Sequence, residues 1–417
     1  DAVPRLAFAA ARRIAAGALN GHSVSDLARS LGVSERHLRR AVERELGVSP
    51  IALAQTHRLL LAKRLLADTN LPVTRIAFAS GFQSLRRFNA AFRAQYRMAP
   101  KALVRASHSE SAGEFLRLTL AYRPPYAWRE LSAELAREAI AGVEVMDGTR
   151  YGRTISIDGR SGVFFAENAS LAPVRSRRGH RIALTDVKRA GRHHLDIDVS
   201  PLLVPALMPL LARLRQLFDL DADPSTIDAH LTLGGLGALV ARTAGIRIPG
   251  AFDGFDVALR VLLRGRVLHS ASPLDVASRV TRALAEPIET GIDRLTHLAP
   301  TAARIAEAGS ARLREHGVSA SKARAIVSVA RLVASDELKL EPGSDVSATM
   351  RALMEIAGIG DRLATLIVMR TLGWPDAFPL GCESMAHTVD APSASAFRVM
   401  SERWRPWRSY AAMHLAL

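Results

Sequence analysis

One motif is written twice near the start of this chain. Val24, Leu27 and Ala28 correspond to Val73, Ile76 and Ala77 at a constant offset of 49 positions, and Gly32 corresponds to Gly81. Each copy reads as a short helix with an apolar stripe, a turn containing glycine, and a second amphipathic helix. Leu38, Val42 and Leu46 form the stripe of the second helix in the first copy; Phe88 and Phe92 form it in the other. Glycine suits such a turn because it takes positive φ without a Cβ clash. Ser34 and Ser84 precede the second helices and are the expected N-caps. Residues 51–67 between the copies form a long helical pattern. Opposite the apolar stripes lie Arg36, Arg39, Arg40 and Arg44 in one copy and Arg86, Arg87 and Arg93 in the other.

Charge says what such helices meet. The 417 residues carry a net charge of +16, and residues 1–107 alone hold 18 basic against 6 acidic residues, a net of +12. Positive charge at this density favours a polyanion, because neutralising phosphates releases condensed counterions. A membrane surface would call for an amphipathic anchor as well. The length allows two to four domains, and 48% hydrophobic residues suffice for a packed core. No run approaches the roughly eighteen apolar residues of a spanning helix. No charged-then-apolar leader opens the chain. The one cysteine, Cys382, excludes an internal disulfide framework and a cysteine-based zinc site. A cytoplasmic, nucleoid-associated protein is expected. The chain opens on Asp1 rather than Met, which fits a piece of a longer protein.

Residues 76–82 read Ile-Ala-Phe-Ala-Ser-Gly-Phe, followed by Phe88, Phe92 and Met98-Ala99-Pro100-Lys101. On these, residues 6–106 resemble the AraC/XylS family of double helix-turn-helix DNA-binding modules. The resemblance implies that Arg36 and Arg40 face bases in one major groove, and Leu85, Arg86 and Asn89 in the next. Arginine can bond guanine O6 and N7 in a bidentate way, and the long helix would hold the two readers about 34 Å apart, one DNA turn. Arg39 and Arg87 join them as DNA-binding candidates, some of these arginines touching only phosphate or solvent.

The period then changes. Residues 108–114 are small and polar and read as a linker. Residues 115–120, 154–157, 161–165, 181–184 and 194–199 alternate like strands, and 126–140 is helical. His193-His194 suggests a metal site only weakly, because neighbours on a strand point to opposite faces. From about Leu202 the pattern is almost entirely helical. Leu353 and Ile356 lie on an apolar helix face, Ala357-Gly358-Ile359-Gly360 makes a tight hairpin, and a second helix starts at Asp361. Gly358 and Gly360 let backbone N–H groups approach a phosphate at a helix N-terminus.

Several stretches resemble the AlkA-type 3-methyladenine DNA glycosylases: 120–128 (Leu-Ala-Tyr-Arg-Pro-Pro-Tyr-Ala-Trp), 142–144, 217–224, 245–253, the hairpin, 373–379 (Gly-Trp-Pro-Asp-Ala-Phe-Pro) and 402–411. The expected fold is mainly α with a small α+β domain: a tandem helix-turn-helix over 1–107, an AlkA-like α+β domain over 115–200, and a helix-hairpin-helix domain over 201–417. The pairing of AraC-type and AlkA-type parts is similar to that of the adaptive-response Ada family, whose cysteine-rich zinc domain has no counterpart in this sequence.

The resemblance implies base flipping and glycosidic cleavage assisted by an aspartate. The residues depart from it at that point. Cys382 stands three residues after Pro379, where the aspartate is expected, with Glu383 beside it. A neutral thiol cannot replace a fixed carboxylate beside a cationic sugar. Arg362, Leu366 and Ala416 occupy aromatic pocket positions, and Arg266 falls where an apolar wedge is expected. Two readings result. One is a transcription regulator with a non-catalytic AlkA-like region, its partners double-stranded DNA, RNA polymerase and a small ligand in the more open pocket, with Arg362 pairing an anionic one. The other is an active alkylated-base glycosylase with an attached DNA-binding module. No cofactor is expected, though the hairpin is compatible with a bound cation.

Overall fold

In a computed structural model the described residues are 2–103, 115–171, 193–264, 274–379 and 383–417. The linker expected at 108–114, the strand at 181–184, Arg266 and Cys382 lie outside them. Contacts divide the chain into two compact units: Asp1–Leu118 with Ser156–Gly162 and Asp198–Leu214, and Thr119–Ile155 with Val163–Ile197 and Arg215–Leu417.

The duplicated motif folds as six helices: α1 (Ala2–Ala15), α2 (Val24–Ser30), α3 (Glu35–Leu46), α4 (Pro50–Asp68), α5 (Val73–Ala79) and α6 (Leu85–Tyr96). The two serines cap as their positions require. Ser34 Oγ accepts from the His37 N–H and Ser84 Oγ from the Arg87 N–H, both at 3.3 Å. Such caps contribute about 1 kcal/mol each. Gly32 and Gly81 take φ of +69° and +86° in the equivalent turns. Ile14, Leu19, Leu27, Leu38 and Val42 share the first copy's core. The second copy is centred on a file of rings in which Phe82, Phe88, Phe92 and Tyr96 stand 5.2, 5.6 and 4.7 Å apart in succession.

A five-stranded sheet follows, in the order β1-β5-β4-β3-β2: β1 (Leu116–Ala121), β2 (Glu144–Asp147), β3 (Arg150–Ile157), β4 (Arg160–Asn168) and β5 (His194–Val199). β2 pairs antiparallel with β3, placing Glu144 opposite Arg153. The helix of this region, α7, runs Trp128–Glu138. From Pro201 the described residues are mostly helical, and 285–301 is the longest described stretch without a helix. One core gathers helices Gly254–Arg264, Ala320–Ala334 and Asp361–Thr371; another surrounds Trp404 and the helix Arg408–Ala416.

Candidate nucleic-acid interface

The first unit displays its arginines as the periodicity requires. On α3, burial of Leu38, Ala41 and Val42 turns Arg36 and Arg40 outward; on α6, burial of Phe88 and Phe92 leaves Arg86, Arg87 and Arg93 exposed and Asn89 half-exposed. Arg86, Asn89 and Arg93 follow at i, i+3 and i+7 and so share a face. Among the described residues no carboxylate pairs with Arg36, Arg40, Arg86, Arg87 or Arg93. Arg39 differs: its Nε and Nη2 both donate to Glu35 Oε1, at 2.8 and 2.6 Å. Arg44 pairs with Glu45 at 3.5 Å.

In the second unit the hairpin forms between helices Val346–Met354 and Asp361–Thr371. The first helix ends two residues before Ile356, which sits half-buried in the turn rather than on a helix face. The Ile359 N–H closes the turn onto the Ile356 carbonyl at 3.0 Å. Gly358 needs its freedom, with φ at +96°. Gly360 is the N-cap and carries no side-chain acceptor, so first-turn N–H groups of an eleven-residue helix face outward. A Cβ built on Gly360 would meet nothing within 4 Å, leaving the backbone open to close approach.

The segment after the hairpin is anchored by the C-terminal helix. Ser409 Oγ donates to the carbonyls of Trp374 and Ala377 at 2.8 and 2.9 Å, and Arg408 Nε donates to Asp376 Oδ1 at 2.7 Å. Phe378 packs on Phe397 and Trp404 with centroids 5.5 and 5.6 Å away. Tyr410 OH donates to Asp219 Oδ2 at 2.9 Å. Burial pushes the Asp219 carboxyl up to about 6, against the Arg247 charge and the Tyr410 hydrogen bond.

The pocket positions fall less openly than the sequence suggests. Leu366 is fully enclosed in the core with Ile367 and Val368, Ala416 is half-buried against the Trp404 cluster, and Arg362 is half-exposed. Swapping an aromatic position for Leu366 therefore leaves a packed core residue rather than an open wall. A surface concavity of about 640 Å³ at Arg314, Gly317 and Ser319 includes none of these positions. Glu383 opens the helix Glu383–Thr388. His194 pairs with Asp196 at 3.3 Å, and among the described residues no His, Cys, Asp and Glu cluster could hold a metal ion. No described helix is long and apolar enough to cross a membrane.

A buried charge network went unseen in the sequence. Arg153 joins Asp256 and Glu144 at 2.6 and 3.3 Å, and Arg260 joins Glu144 at 2.7 Å. Nearby, Arg370 of the hairpin's second helix meets Glu138 at 2.7 Å. No local pattern signals partners so far apart in the chain.

Known proteins are similar to this chain. The AlkA N-terminal domain family matches residues 117–253, and the helix-turn-helix domain family matches residues 27–106. The probable bifunctional transcriptional activator/DNA repair enzyme AlkA of Mycobacterium tuberculosis (strain ATCC 25618 / H37Rv) is 34% identical over 97% of this chain and 79% of its own length. The chain belongs to this AlkA family. The DNA-3-methyladenine glycosylase 2 of Escherichia coli (strain K12) is 28% identical over 71% of this AlkA chain and 95% of its own. Among solved structures, a 3-methyladenine DNA-glycosylase from Archaeoglobus fulgidus shares the fold, with a TM-score of 0.56 at 19% identity over 72% of this chain and 97% of its own.

Proposed function

We propose that this chain is a DNA-binding transcription regulator of the alkylation-damage (adaptive) response type, whose AlkA-like region grips DNA without excising bases. The observation that carries it is the set of exposed arginines on α3 and α6, Arg36, Arg40, Arg86, Arg87 and Arg93, none engaged by a carboxylate among the described residues. The name of the M. tuberculosis relative, a transcriptional activator and repair enzyme, supports it. Cys382 at the position of the family's aspartate and Leu366, buried where a pocket ring is expected, support the absence of excision. As a regulator at a promoter the chain would meet RNA polymerase, and a small ligand at the altered pocket would carry the signal. The grip uses no cofactor, though a cation on the hairpin's backbone carbonyls is compatible with it. A promoter reporter tests the regulatory half: the triple variant Arg36→Ala, Arg40→Ala, Arg86→Ala should lose control, and unchanged control would sink it.

The E. coli glycosylase, matched over 95% of its own length, favours a second reading, an active alkylated-base glycosylase in base excision repair. Methylated DNA separates the two. Release of free bases above that of the Glu383→Gln variant supports the second reading; release no greater supports the first.

A further inference from the structure

We infer that Asn20 is the positioning residue that fixes the separation of the two groove-reading helices, α3 and α6. This rests on the DNA reading proposed above. Asn20 lies in the loop between α1 and α2, and its one short amide meets the linking helix α4, the turn before α6 and Met208. Its Oδ1 accepts from Arg58 Nε at 2.8 Å, and Arg58 Nη2 donates to the Leu19 carbonyl at 2.5 Å. Arg58 belongs to α4, the helix that joins the two copies. Asn20 Nδ2 donates to Met208 Sδ at 3.1 Å, within the same compact unit. Two glycines make room for it. A Cβ on Gly81, in the turn that leads to α6, would lie 2.4 Å from both Asn20 Oδ1 and Nδ2; a Cβ on Gly17 would lie 2.7 Å from Nδ2.

The path between the readers is therefore short and continuous. Leu19 packs in the core that holds Leu38 and Val42 of α3. Asn20, the next residue, is wedged against the turn before α6 and tied to the helix between. Gly21 extends the contact, since a Cβ there would lie 3.8 Å from Gln83 Nε2. An amide suits the position because it accepts from a guanidinium on one side and donates on the other. A fixed separation makes binding of the second reader intramolecular once the first is seated, and only at the half-site spacing that matches it.

The test uses the full chain. A duplex selected on the wild type from a random library is footprinted to locate the two contacted segments, then remade with one base pair inserted or deleted between them. Asn20→Ala should bind the selected duplex about tenfold more weakly, bind duplexes holding a single segment as the wild type does, and lose the preference between spacings. Asn20→Asp keeps the acceptor for Arg58 but lacks the donor to Met208 Sδ, and should restore that preference in part. Equal weakening on single and paired segments, or an unchanged preference in Asn20→Ala, overturns the assignment. A measurement without DNA stands beside it. Spin labels on cysteines placed at Glu43 and Gln95, in a Cys382→Ser background, should give a narrow distance distribution that broadens in Asn20→Ala. An unchanged width overturns the positioning role, whereas failure of the wild type to select any sequence overturns the DNA reading instead.

Discussion

Arg153 on β3 donates to Asp256 on the helix Gly254–Arg264 at 2.6 Å, and both side chains are almost wholly buried. Arg260 and Glu144 complete an alternating quartet, and Tyr151 OH donates to Glu144 Oε1 at 2.6 Å. Burial by itself would raise the Asp256 carboxyl; the Arg260 and Arg153 charges outweigh it and hold it at about 2. Asp256→Asn removes one carboxylate and leaves two buried guanidiniums with Glu144 alone. The expected loss is about 3–5 kcal/mol of stability, read by urea unfolding at pH 7. The pH dependence has a definite sign. A carboxyl whose folded pKa is depressed stabilises above its unfolded value, near 3.8, and that contribution fades as pH falls toward 2. The variant should lack that acid-side loss. Wild-type stability in Asp256→Asn would mean that the quartet contributes nothing.

His414 gives the complementary case. It is enclosed in the helix Arg408–Ala416, and neither ring nitrogen has a hydrogen-bond partner among the described residues. Burial, with the Arg242 charge, pushes its pKa down to about 4 from 6.5. The folded protein therefore holds the neutral ring, and stability falls as pH drops from about 6.5 toward 4, by on the order of 2–3 kcal/mol. His414→Met, similar in volume and without a titrating group, should flatten the melting temperature across that window. An equal slope in wild type and variant would assign the acid sensitivity elsewhere.

The contrast between these residues and the duplicated motif shows where sequence is informative. Ser34, Gly32 and the Leu38–Val42 stripe act within a few residues of one another, so local chemistry specified the helices, their caps and the outward arginines. Arg153 and Asp256 are meaningful only once β3 meets a helix about a hundred residues later, and nothing local announces it. β2 spans four residues, Glu144–Asp147, too few for an alternating pattern to stand out. Leu366 read as a pocket position by resemblance, yet its surroundings are core, because the apolar pattern of Asp361–Thr371 is satisfied on nearly every side. Asn20 was invisible for a different reason: its role comes from two glycines, Gly17 and Gly81, that no periodicity links.

Side-chain pairing on α3 ranks its arginines. Arg39 spends both Nε and Nη2 on Glu35, whereas Arg36 and Arg40 face outward with no carboxylate partner among the described residues. Arg36→Ala and Arg40→Ala should each cost about 1–3 kcal/mol on a selected duplex and relax sequence preference at one position. Arg39→Ala should cost well under 1 kcal/mol, since an arginine already paired on the helix surface brings little to DNA. Gel-shift titrations at one fixed salt concentration make the comparison. A larger effect from Arg39 than from Arg36 or Arg40 would show that the Glu35 pair opens on binding.

The hairpin can be tested by separating stability from DNA affinity. Gly358 holds φ at +96°, so Gly358→Ala strains the backbone and should lower stability by about 1 kcal/mol. Gly360 has φ at −88°, which any residue adopts, and a Cβ there meets nothing within 4 Å. Gly360→Ala therefore adds no backbone strain and should lower stability by less than about 1 kcal/mol, the cost of alanine in place of glycine at an N-cap. If the outward N–H groups of this helix N-terminus meet a DNA phosphate, the added methyl occupies the space the phosphate needs. Non-specific duplex binding should then weaken several-fold in Gly360→Ala, with its salt slope reduced by about one unit, the mark of one lost phosphate contact. A loss of that size leaves the protein folded at the assay temperature, which a melting curve checks, so lost affinity cannot be ascribed to unfolding. Unchanged affinity and slope would remove this hairpin from the DNA interface and leave the two reading helices as the chain's grip on the duplex.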